Sequence, residues 1–87
     1  MKKIDAIKLL ARPYILELLE GLKSPKRFKD LKRICKNDKT LAKRLKELRE
    51  FGLVDVVPLK EKGKFVNFYT ITKKGKVLLK KIKELKV

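Results

Sequence analysis

The stretch FKDLKRICKNDKTLAKRLKELREFG, residues 28–52, decides the fold of this chain. Its second half repeats leucine at Leu41, Leu45 and Leu48, which is the i, i+4, i+7 spacing of one face of a helix. Asn37 comes just before this run and can serve as its N-cap, because a short polar side chain accepts a hydrogen bond from the first free backbone N–H groups. The spacing therefore predicts a long amphipathic helix, the clearest in the sequence.

The first half of the same stretch predicts a shorter helix. Residues 28–35 place apolar side chains on one helical face and Lys29, Lys32 and Arg33 on the other, over about two turns. Gly52 ends the longer helix, since glycine readily adopts the left-handed conformation of a helix C-terminus. Two helices joined by a short turn are the core of a helix-turn-helix.

Beyond Gly52 the period of the apolar residues falls from about 3.6 to about 2 residues. The segments LVDVVPL, residues 53–59, and FVNFYTIT, residues 65–72, are rich in β-branched and aromatic residues and predict two strands. The linker KEKGK contains Gly63, which suits a hairpin turn. Pro58 is acceptable because both strands of a two-stranded hairpin are edges.

Each end of the chain also predicts helix. Residues 4–22 have amphipathic spacing, and Pro13 favours either two short helices meeting near Arg12 or one kinked helix. At the other end Thr72 can cap a final helix, although Gly75 in its first turn weakens the start. The apolar stripe of this last helix comprises Val77, Leu78, Leu79, Ile82 and Leu85.

The order of these elements predicts the fold class. Helix, short helix, turn, longer helix, basic hairpin and helix is the order of a winged helix-turn-helix, an α+β fold that is mainly α. It has a three-helix core, a two-stranded β wing and a C-terminal helix. We expect one domain over residues 1–87, with the helix-turn-helix at about 27–51, the wing at about 53–71 and the C-terminal helix at about 73–86.

The net charge indicates a polyanionic partner. Lys and Arg number 26 against 10 Asp and Glu, a formal charge of +16 that favours nucleic acid first and acidic lipid second. Residues 23–49 hold 12 basic and 3 acidic residues, and residues 58–87 hold 10 and 2, whereas residues 1–22 hold 4 and 3. The excess therefore lies on the predicted helix-turn-helix and on everything from the hairpin onward.

Several classes of function are not expected. Asp5, Lys8 and other charges interrupt the apolar run near the N-terminus, which argues against a signal or membrane segment and for a cytoplasmic protein. With no histidine and one cysteine, Cys35, neither a disulfide framework nor the usual zinc ligand sets can form, so no metal or cofactor is expected. Ser24 is the only serine, and no phosphate loop or close carboxylate pair occurs, so the chain is not expected to be an enzyme.

The candidate binding surface lies on the longer helix and the hairpin. Projected at about 100° per residue, Lys39, Lys43 and Lys46 lie opposite the leucine stripe, with Thr40 beside them. Such lysines are usually only solvated, but here the basic excess is concentrated on these elements. The candidate DNA-binding residues are Lys36, Asn37, Lys39, Thr40, Lys43, Arg44, Lys46, Lys60, Lys62 and Lys64.

The sequence resembles the HxlR-type and MarR-type winged helix regulators over roughly residues 10–80. RFKDLKRICKNDKTLAKRLKELREFGLVD followed by FVNFYTITKKGKVLL shares their Phe-x-x-Leu short helix, the Leu-x-x-Leu near the end of the recognition helix, the Gly-Leu-Val before the wing and the Tyr-x-Ile-Thr-x-x-Gly after it. The matching positions are Phe28, Leu31, Leu45, Leu48, Gly52, Leu53, Val54, Tyr69, Ile71, Thr72 and Gly75.

The resemblance implies a homodimer formed through the first and last helices. It also implies base or phosphate contacts at Lys39, Thr40, Lys43 and Arg44. The chain departs from HxlR-type patterns because it lacks their usual cysteine near the N-terminus, while Cys35 falls on the apolar face of the short helix and is expected to be a buried structural thiol. It also lacks the Cys and His sets of ArsR-type metal sensors, so metal control is not expected.

The function predicted from these features is sequence-specific regulation of transcription through duplex DNA. Three alternatives stay open: a non-specific architectural or chromatin protein, a winged helix that binds structured RNA, and a protein-interaction subunit that uses the stripe of residues 77–85. The first is kept because the recognition helix has no exposed Asn or Gln for bidentate base contacts. Tyr14 and Tyr69 could stack on single strands, but a core or interface position is favoured, especially for Tyr69.

Overall fold

The computed structural model describes residues 6–85, and the side chains of residues 8–85. It contains five helices and one two-stranded antiparallel sheet within this range, which confirms the predicted α+β winged helix-turn-helix class. The elements are α1 (Ala6–Leu10), α2 (Ile15–Gly21), α3 (Phe28–Leu31), α4 (Asp38–Glu50), β1 (Val54–Glu61), β2 (Lys64–Ile71) and α5 (Lys73–Leu85).

The N-terminal segment forms two short helices, the first of the two predicted arrangements. Pro13 has no N–H and disfavours helix in the residue before it, so α1 ends at Leu10 and the N–H of Arg12 donates to the carbonyl of Leu9 at 3.0 Å. Tyr14 then takes φ 72°, a left-handed conformation that turns the chain into α2. Residues 4 and 5 of the predicted helix lie outside the described range.

The short helix of the helix-turn-helix is shorter than predicted. Residues 28–35 were expected to be helical, but α3 ends at Leu31. The carbonyl of Leu31 accepts from both Ile34 at 2.9 Å and Cys35 at 3.2 Å, so the chain tightens into a turn instead of adding a second helical turn. The predicted apolar face persists, since Leu31 and Cys35 are each 1% exposed.

Both ends of α4 are capped as predicted. The side-chain oxygen of Asn37 accepts from the backbone N–H of Thr40 at 2.9 Å. At the other end Gly52 takes φ 74°, and its N–H donates to Arg49 at 2.9 Å while the N–H of Leu53 donates to Leu48 at 2.9 Å. These two bonds form a Schellman motif, so the direction in which the chain leaves α4 is fixed by the glycine.

The core lies among the five helices and the base of the wing. Most of its members are leucines, whose large apolar side chains fill the interior at close-packed density. The predicted leucine stripe of α4 is buried. The buried apolar residues are Leu9, Ile15, Leu18, Leu19, Leu22, Leu31, Cys35, Leu41, Leu45, Leu48, Leu53, Val54, Ile71 and Leu79.

The wing is a regular hairpin whose register runs from Val54 opposite Ile71 to Glu61 opposite Lys64. Lys62 and Gly63 form a two-residue turn with φ 52° and 81°, both left-handed, as a type I′ turn requires. The predicted role of Gly63 is thereby confirmed. Lysine at the first position is less suited to this conformation than asparagine or glycine.

The outer edges of the two wing strands differ in their backbone hydrogen bonding. The N–H and carbonyl of Lys26 pair with those of Tyr69 on the outer edge of β2, at 2.9 and 2.7 Å, and the N–H of Ile71 donates to the carbonyl of Leu22 at 2.9 Å. The outer edge of β1 carries Pro58, which has no N–H to offer. The base of β2 is therefore attached to the helical core by three backbone hydrogen bonds.

The start of α5 is locked against the junction of α4 and β1. The hydroxyl of Thr72 accepts from the N–H of Gly75 at 3.1 Å, as predicted, and donates to the carbonyl of Gly52 at 2.6 Å. Gly75 is buried, and a Cβ there would lie 2.4 Å from the carbonyl oxygen of Leu53. The glycine that weakens helix propensity at this position therefore permits α5 to approach the backbone of Leu53.

The remainder of α5 packs on α2. Lys83 lies 2.5 Å from Glu20, and Lys23 lies 3.1 Å from the same carboxylate. The hydrogen bonds from these two ammonium groups, Lys83 first, lower the pKa of Glu20, and the bond to Glu20 raises the pKa of Lys83.

No helix in residues 6–85 has the length and apolar character needed to span a bilayer. The single domain over residues 1–87 stays a prediction.

Candidate nucleic-acid interface

The exposed face of α4 is cationic, as predicted. Lys39, Lys43 and Lys46 are all exposed on the side opposite the buried leucines. None of these three lysines takes part in an ion pair among the described residues. Because their ammonium groups have no acidic partner, they are available to neutralise phosphates.

Arg44 is placed apart from those lysines. Its side chain is only 12% exposed, and one terminal nitrogen donates to Glu47 at 2.7 Å. The other oxygen of Glu47 accepts from Arg12 at 2.6 Å, so one carboxylate binds two guanidinium groups, one from α4 and one from the turn between α1 and α2. The Nε of Arg44 is buried and has no hydrogen-bond partner among the described residues.

This charged cluster of Arg12, Arg44 and Glu47 was not predicted. Glu47 is only 6% exposed, and a carboxylate buried to that degree requires paired cations. The i, i+3 spacing of Arg44 and Glu47 is visible in the sequence, but Arg12 comes from the turn between α1 and α2. In this structure the guanidinium of Arg44 binds Glu47 within α4 rather than facing solvent, and the bond from Arg12 to the same carboxylate joins the N-terminal turn to α4.

The N-terminal end of α4 presents the other predicted contacts. Lys36 is exposed, while Asn37 uses its side-chain oxygen as the helix cap, which leaves its NH₂ group as the available donor. Thr40 is half-buried and lies one turn from the cap. Lys36 and Lys39 are therefore exposed cations at this end of the helix.

The wing presents a second group of cations. Lys60, Lys62 and Lys64 are exposed and surround the turn at the tip. Glu61 also lies at the tip, but its carboxylate accepts from Arg27 at 2.8 Å, which neutralises it and braces the hairpin against the residue before α3. The structure thus separates the predicted cations into one group on α4 and one group at the wing tip.

An exposed aromatic residue at the wing tip was also missed. Phe65 is 74% exposed, directly opposite Lys60 in the strand register. The period-2 pattern of FVNFYTIT assigned Phe65 to a strand but did not show how far the hairpin extends past the core. By contrast, Tyr69 is half-buried against the core, as favoured, and Tyr14 is 39% exposed at the turn before α2.

The thiol of Cys35 is buried, as expected. It is 1% exposed and its sulfur lies 3.6 Å from the carbonyl oxygen of Asn37, at the turn into α4. A buried thiol in that position acts as a small apolar side chain in the interior of the helix-turn-helix. Among residues 6–85, no group of three or more Cys, Asp or Glu side chains is arranged to hold a metal ion.

A further surface lies between α1, the end of α4 and α5. It is an open apolar groove of about 720 Å³ with a rim of lysines. Two apolar side chains of α5 are exposed, Val77 at 50% and Leu85 at 85%. The groove is lined by Leu9, Phe51, Leu53, Val77 and Leu78, together with Lys73, Lys74 and Lys81.

A helix-turn-helix with a capped, lysine-faced α4 and an adjoining basic hairpin defines the class of winged helix transcriptional regulators. Sequence comparison agrees, because residues 11–87 match the HxlR-like helix-turn-helix family. The chain belongs to the HxlR-like helix-turn-helix family. A search of the curated proteins gave no match.

Solved structures support the same assignment. The reduced form of the transcriptional regulator YodB from B. subtilis matches with a TM-score of 0.81 and 32% identity, over 93% of this chain and 81% of that one. The transcriptional repressor BigR from Xylella fastidiosa matches with a TM-score of 0.70 and 26% identity, over 91% and 77%.

A MarR-family regulator from Enterococcus faecalis V583 shares the fold, with a TM-score of 0.79 at 23% identity, over 98% of this chain and 86% of that one. The relatives found in these comparisons are thus described as transcriptional regulators, not as enzymes.

Proposed function

We propose that this chain regulates transcription by binding specific sites in duplex DNA as a homodimer. The observation that supports this proposal most is the face of Lys39, Lys43 and Lys46. It is exposed, has no ion pair with any described residue, and is fixed in orientation by the buried leucines behind it. In this arrangement α4 enters the major groove, and Lys60, Lys62 and Lys64 of the wing hold the neighbouring backbone. Lys36 and Asn37 contact phosphate at the start of α4.

The homodimer forms through the N-terminal and C-terminal helices. The apolar groove between α1 and α5 supports this arrangement, as do the exposed side chains of Val77 and Leu85, because apolar surface of this kind is stabilised when a second copy covers it. A two-fold dimer would place two copies of α4 about one helical turn of DNA apart.

The proposed function uses neither a cofactor nor a metal and includes no catalytic step. The protein acts in the cytoplasm, where the duplex is accessible and Cys35 stays reduced. Any effector would act through the dimer interface.

One observation favours a second candidate, a non-specific architectural DNA-binding protein. Arg44 is the only arginine among the predicted base-reading residues, and its guanidinium is committed to Glu47. Lysine can donate to guanine, but without the fixed bidentate fork of arginine. If Arg44 stays on Glu47 in the complex, base-edge readout by α4 depends on Lys39, Lys43 and Thr40.

The first experiment is selection of bound duplexes from a random pool at moderate salt, followed by sequencing. Simple retention decides nothing, because a chain with a charge of +16 binds any duplex at low salt. An enriched inverted repeat supports the dimeric, sequence-specific regulator. Strong retention without a motif supports the architectural candidate, and preferential retention of structured RNA in a parallel pool contradicts both.

The role of α4 is tested by replacing Lys39 and Lys43 together with alanine. We expect much weaker duplex binding, with the slope of log affinity against log salt reduced by about 1.8 if each lysine contacts one phosphate. The matched control is Lys76→Ala with Lys80→Ala, which removes the same charge from exposed positions of α5. Equal losses in the two variants, measured by fluorescence anisotropy across salt concentrations, would remove the assignment of α4.

The dimer is tested by mass in solution. We expect sedimentation at twice the 10.2 kDa of one chain, and at the mass of one chain for Val77→Asp. Lys76→Asp, one residue away on the exposed side of the same helix, is the matched control and should stay dimeric. A monomeric parent protein that still selects an inverted repeat would contradict this interface but not DNA binding.

A further inference from the structure

Phe65 is the most exposed aromatic side chain in the described part of the chain, at 74%. Burying a phenylalanine ring against a partner lowers the free energy, because apolar surface is removed from water. The gain is larger than for an exposed lysine, whose charge is already well solvated. The other large apolar residue on the wing that is exposed, Leu59, is 40% exposed. The ring of Phe65 is therefore the main apolar feature of the wing surface.

The hairpin register fixes where this ring lies. Phe65 is the second residue after the Lys62–Gly63 turn and lies opposite Lys60. Side chains alternate between the two faces of a strand, so Phe65 shares a face with Pro58 and Asn67, which are both exposed, and with Ile71, which is buried at the base. One face of the hairpin contacts the helical core near the base of the wing. The ring of Phe65 lies on that same face, but at the tip of the wing.

The charges nearest the ring are positive. Lys60 lies on the same face as Phe65 and Lys62 is in the turn, whereas Lys64 and Glu61 are register partners on the opposite face. The three lysines have no ion-pair partner among the described residues, and Glu61 is held by Arg27 at 2.8 Å. An apolar ring among free cations matches the minor groove of DNA. There the phosphates of both strands flank sugar faces and base edges, and apolar side chains can enter between base pairs.

Two other partners have similar chemistry, but the structure favours duplex DNA. Proteins that hold single strands stack successive bases on several aromatic side chains, whereas Phe65 is the only exposed aromatic residue on the wing. An acidic lipid surface would accept the same ring and lysines. The exposed lysine face of α4 lies on the same domain, however, and a duplex can contact α4 and the wing together in the manner of a winged helix.

We propose that Phe65 is a minor-groove wedge that partly unstacks one base step beside the site of α4. The wedge rests on the proposed DNA-binding function and names a source of specificity for it. With Arg44 committed to Glu47, α4 has few base-reading groups, whereas a wedge favours steps that open easily. Pyrimidine–purine steps such as TA and CA are the most deformable, so site preference arises from DNA shape at the flank.

The test measures deformation separately from affinity. Duplexes carrying one TA step at successive positions in a stiff background have a fluorescent adenine analogue at that step and a dye pair at their ends. With the parent protein we expect one flank position to show increased analogue fluorescence, end-to-end shortening and about tenfold tighter binding than a duplex with an A-tract there. Phe65→Ala should abolish the fluorescence change and reduce the preference to about twofold.

Three variants serve as controls. Phe65→Leu keeps an apolar wedge and should retain the unstacking signal. Leu59→Ala removes an apolar side chain from the opposite face of the hairpin and should also retain it. Lys64→Ala should weaken binding and lower the salt slope by about 0.9 without changing the signal. Far-ultraviolet circular dichroism checks that each variant is folded.

The possible failures are distinguishable. If the parent protein binds duplexes but produces no unstacking at any position, or if Phe65→Ala retains the signal, the wedge is wrong and DNA binding stands. If the parent protein shows no duplex binding beyond that of a lysine peptide of equal charge, the proposed function itself fails. If Phe65→Ala instead loses binding to phosphatidylglycerol vesicles and leaves DNA deformation unchanged, the ring serves a lipid surface and the wedge is overturned.

Discussion

Helix α4 and the wing carry similar cationic side chains but hold them in opposite ways. The helix has three buried leucines beneath its lysines and a cap at each end, so the position of its charges is set by the core. The wing is buried only at its base, at Val54 and Ile71, and its tip is positioned by strand pairing and one turn. Disturbing the contacts of α4 should therefore affect folding, whereas changes at the wing tip should affect binding with little effect on folding.

The largest effect is expected from Leu45→Asp. Leu45 is 2% exposed at the centre of the core, and an unpaired carboxylate there should cost more than about 4 kcal/mol and unfold the domain. Leu59→Asp, on the wing at 40% exposure, should leave a cooperative thermal transition within a few degrees of the parent. If Leu45→Asp melts like Leu59→Asp, the contrast between the two regions is wrong.

A smaller loss is expected from Glu47→Ala. Removing the carboxylate leaves Arg12 and Arg44 without their shared partner, and we expect a loss of about 2 kcal/mol in urea denaturation. The expected value is below that of a fully buried pair because Arg12 is about one-third exposed. Glu50→Ala, on the exposed face of the same helix, should change stability by less than about 0.5 kcal/mol. Equal effects would mean that the cluster does not stabilise α4.

Gly75→Ala tests the junction that joins the two regions. Alanine stabilises a helix over glycine by about 1 kcal/mol. Its Cβ would, however, clash with the backbone carbonyl oxygen of Leu53, and overpacking of this kind costs about 1–3 kcal/mol. We expect a net loss of about 1 kcal/mol in urea denaturation. Lys76→Ala, the next residue on the exposed side, should be neutral or slightly stabilising. A stabilised Gly75→Ala would show that α5 can move away from the junction.

The smallest effect is expected from Lys62→Asn at the wing tip. Asparagine tolerates the left-handed conformation at φ 52° better than lysine, so stability should rise by about 0.5 kcal/mol. Duplex affinity should fall at the same time, with a salt slope lower by about 0.9 if Lys62 contacts a phosphate. Opposite changes in stability and affinity would sharpen the distinction between a wing tip that binds and a helix that also folds.

The fold was predictable from the sequence because its signals are local. The period of Leu41, Leu45 and Leu48, the cap at Asn37 and the stop at Gly52 act within one helix, and each was confirmed. The pairing of the strands across the Lys62–Gly63 turn is also a short-range property.

The interface was less predictable because it depends on contacts between distant parts of the chain. A helical projection treats α4 as isolated, so it does not show that Glu47 binds Arg44 within α4 and Arg12 from the turn before α2. The need for glycine at position 75 also depends on a distant contact, because its small size matters only where α5 packs against the backbone of Leu53. The assignment of individual side chains to DNA contacts stays a prediction.

The edges of the wing have a consequence for how copies of this protein behave at high concentration. An unpaired strand edge is a template on which another chain can add a strand and start aggregation. Here the base of β2 is covered by Lys26 and Leu22, Pro58 removes a donor from β1, and the uncovered outer part of the hairpin carries lysines that repel their counterparts on another copy. The side chains proposed to hold DNA therefore also protect the free hairpin from joining another hairpin edge to edge.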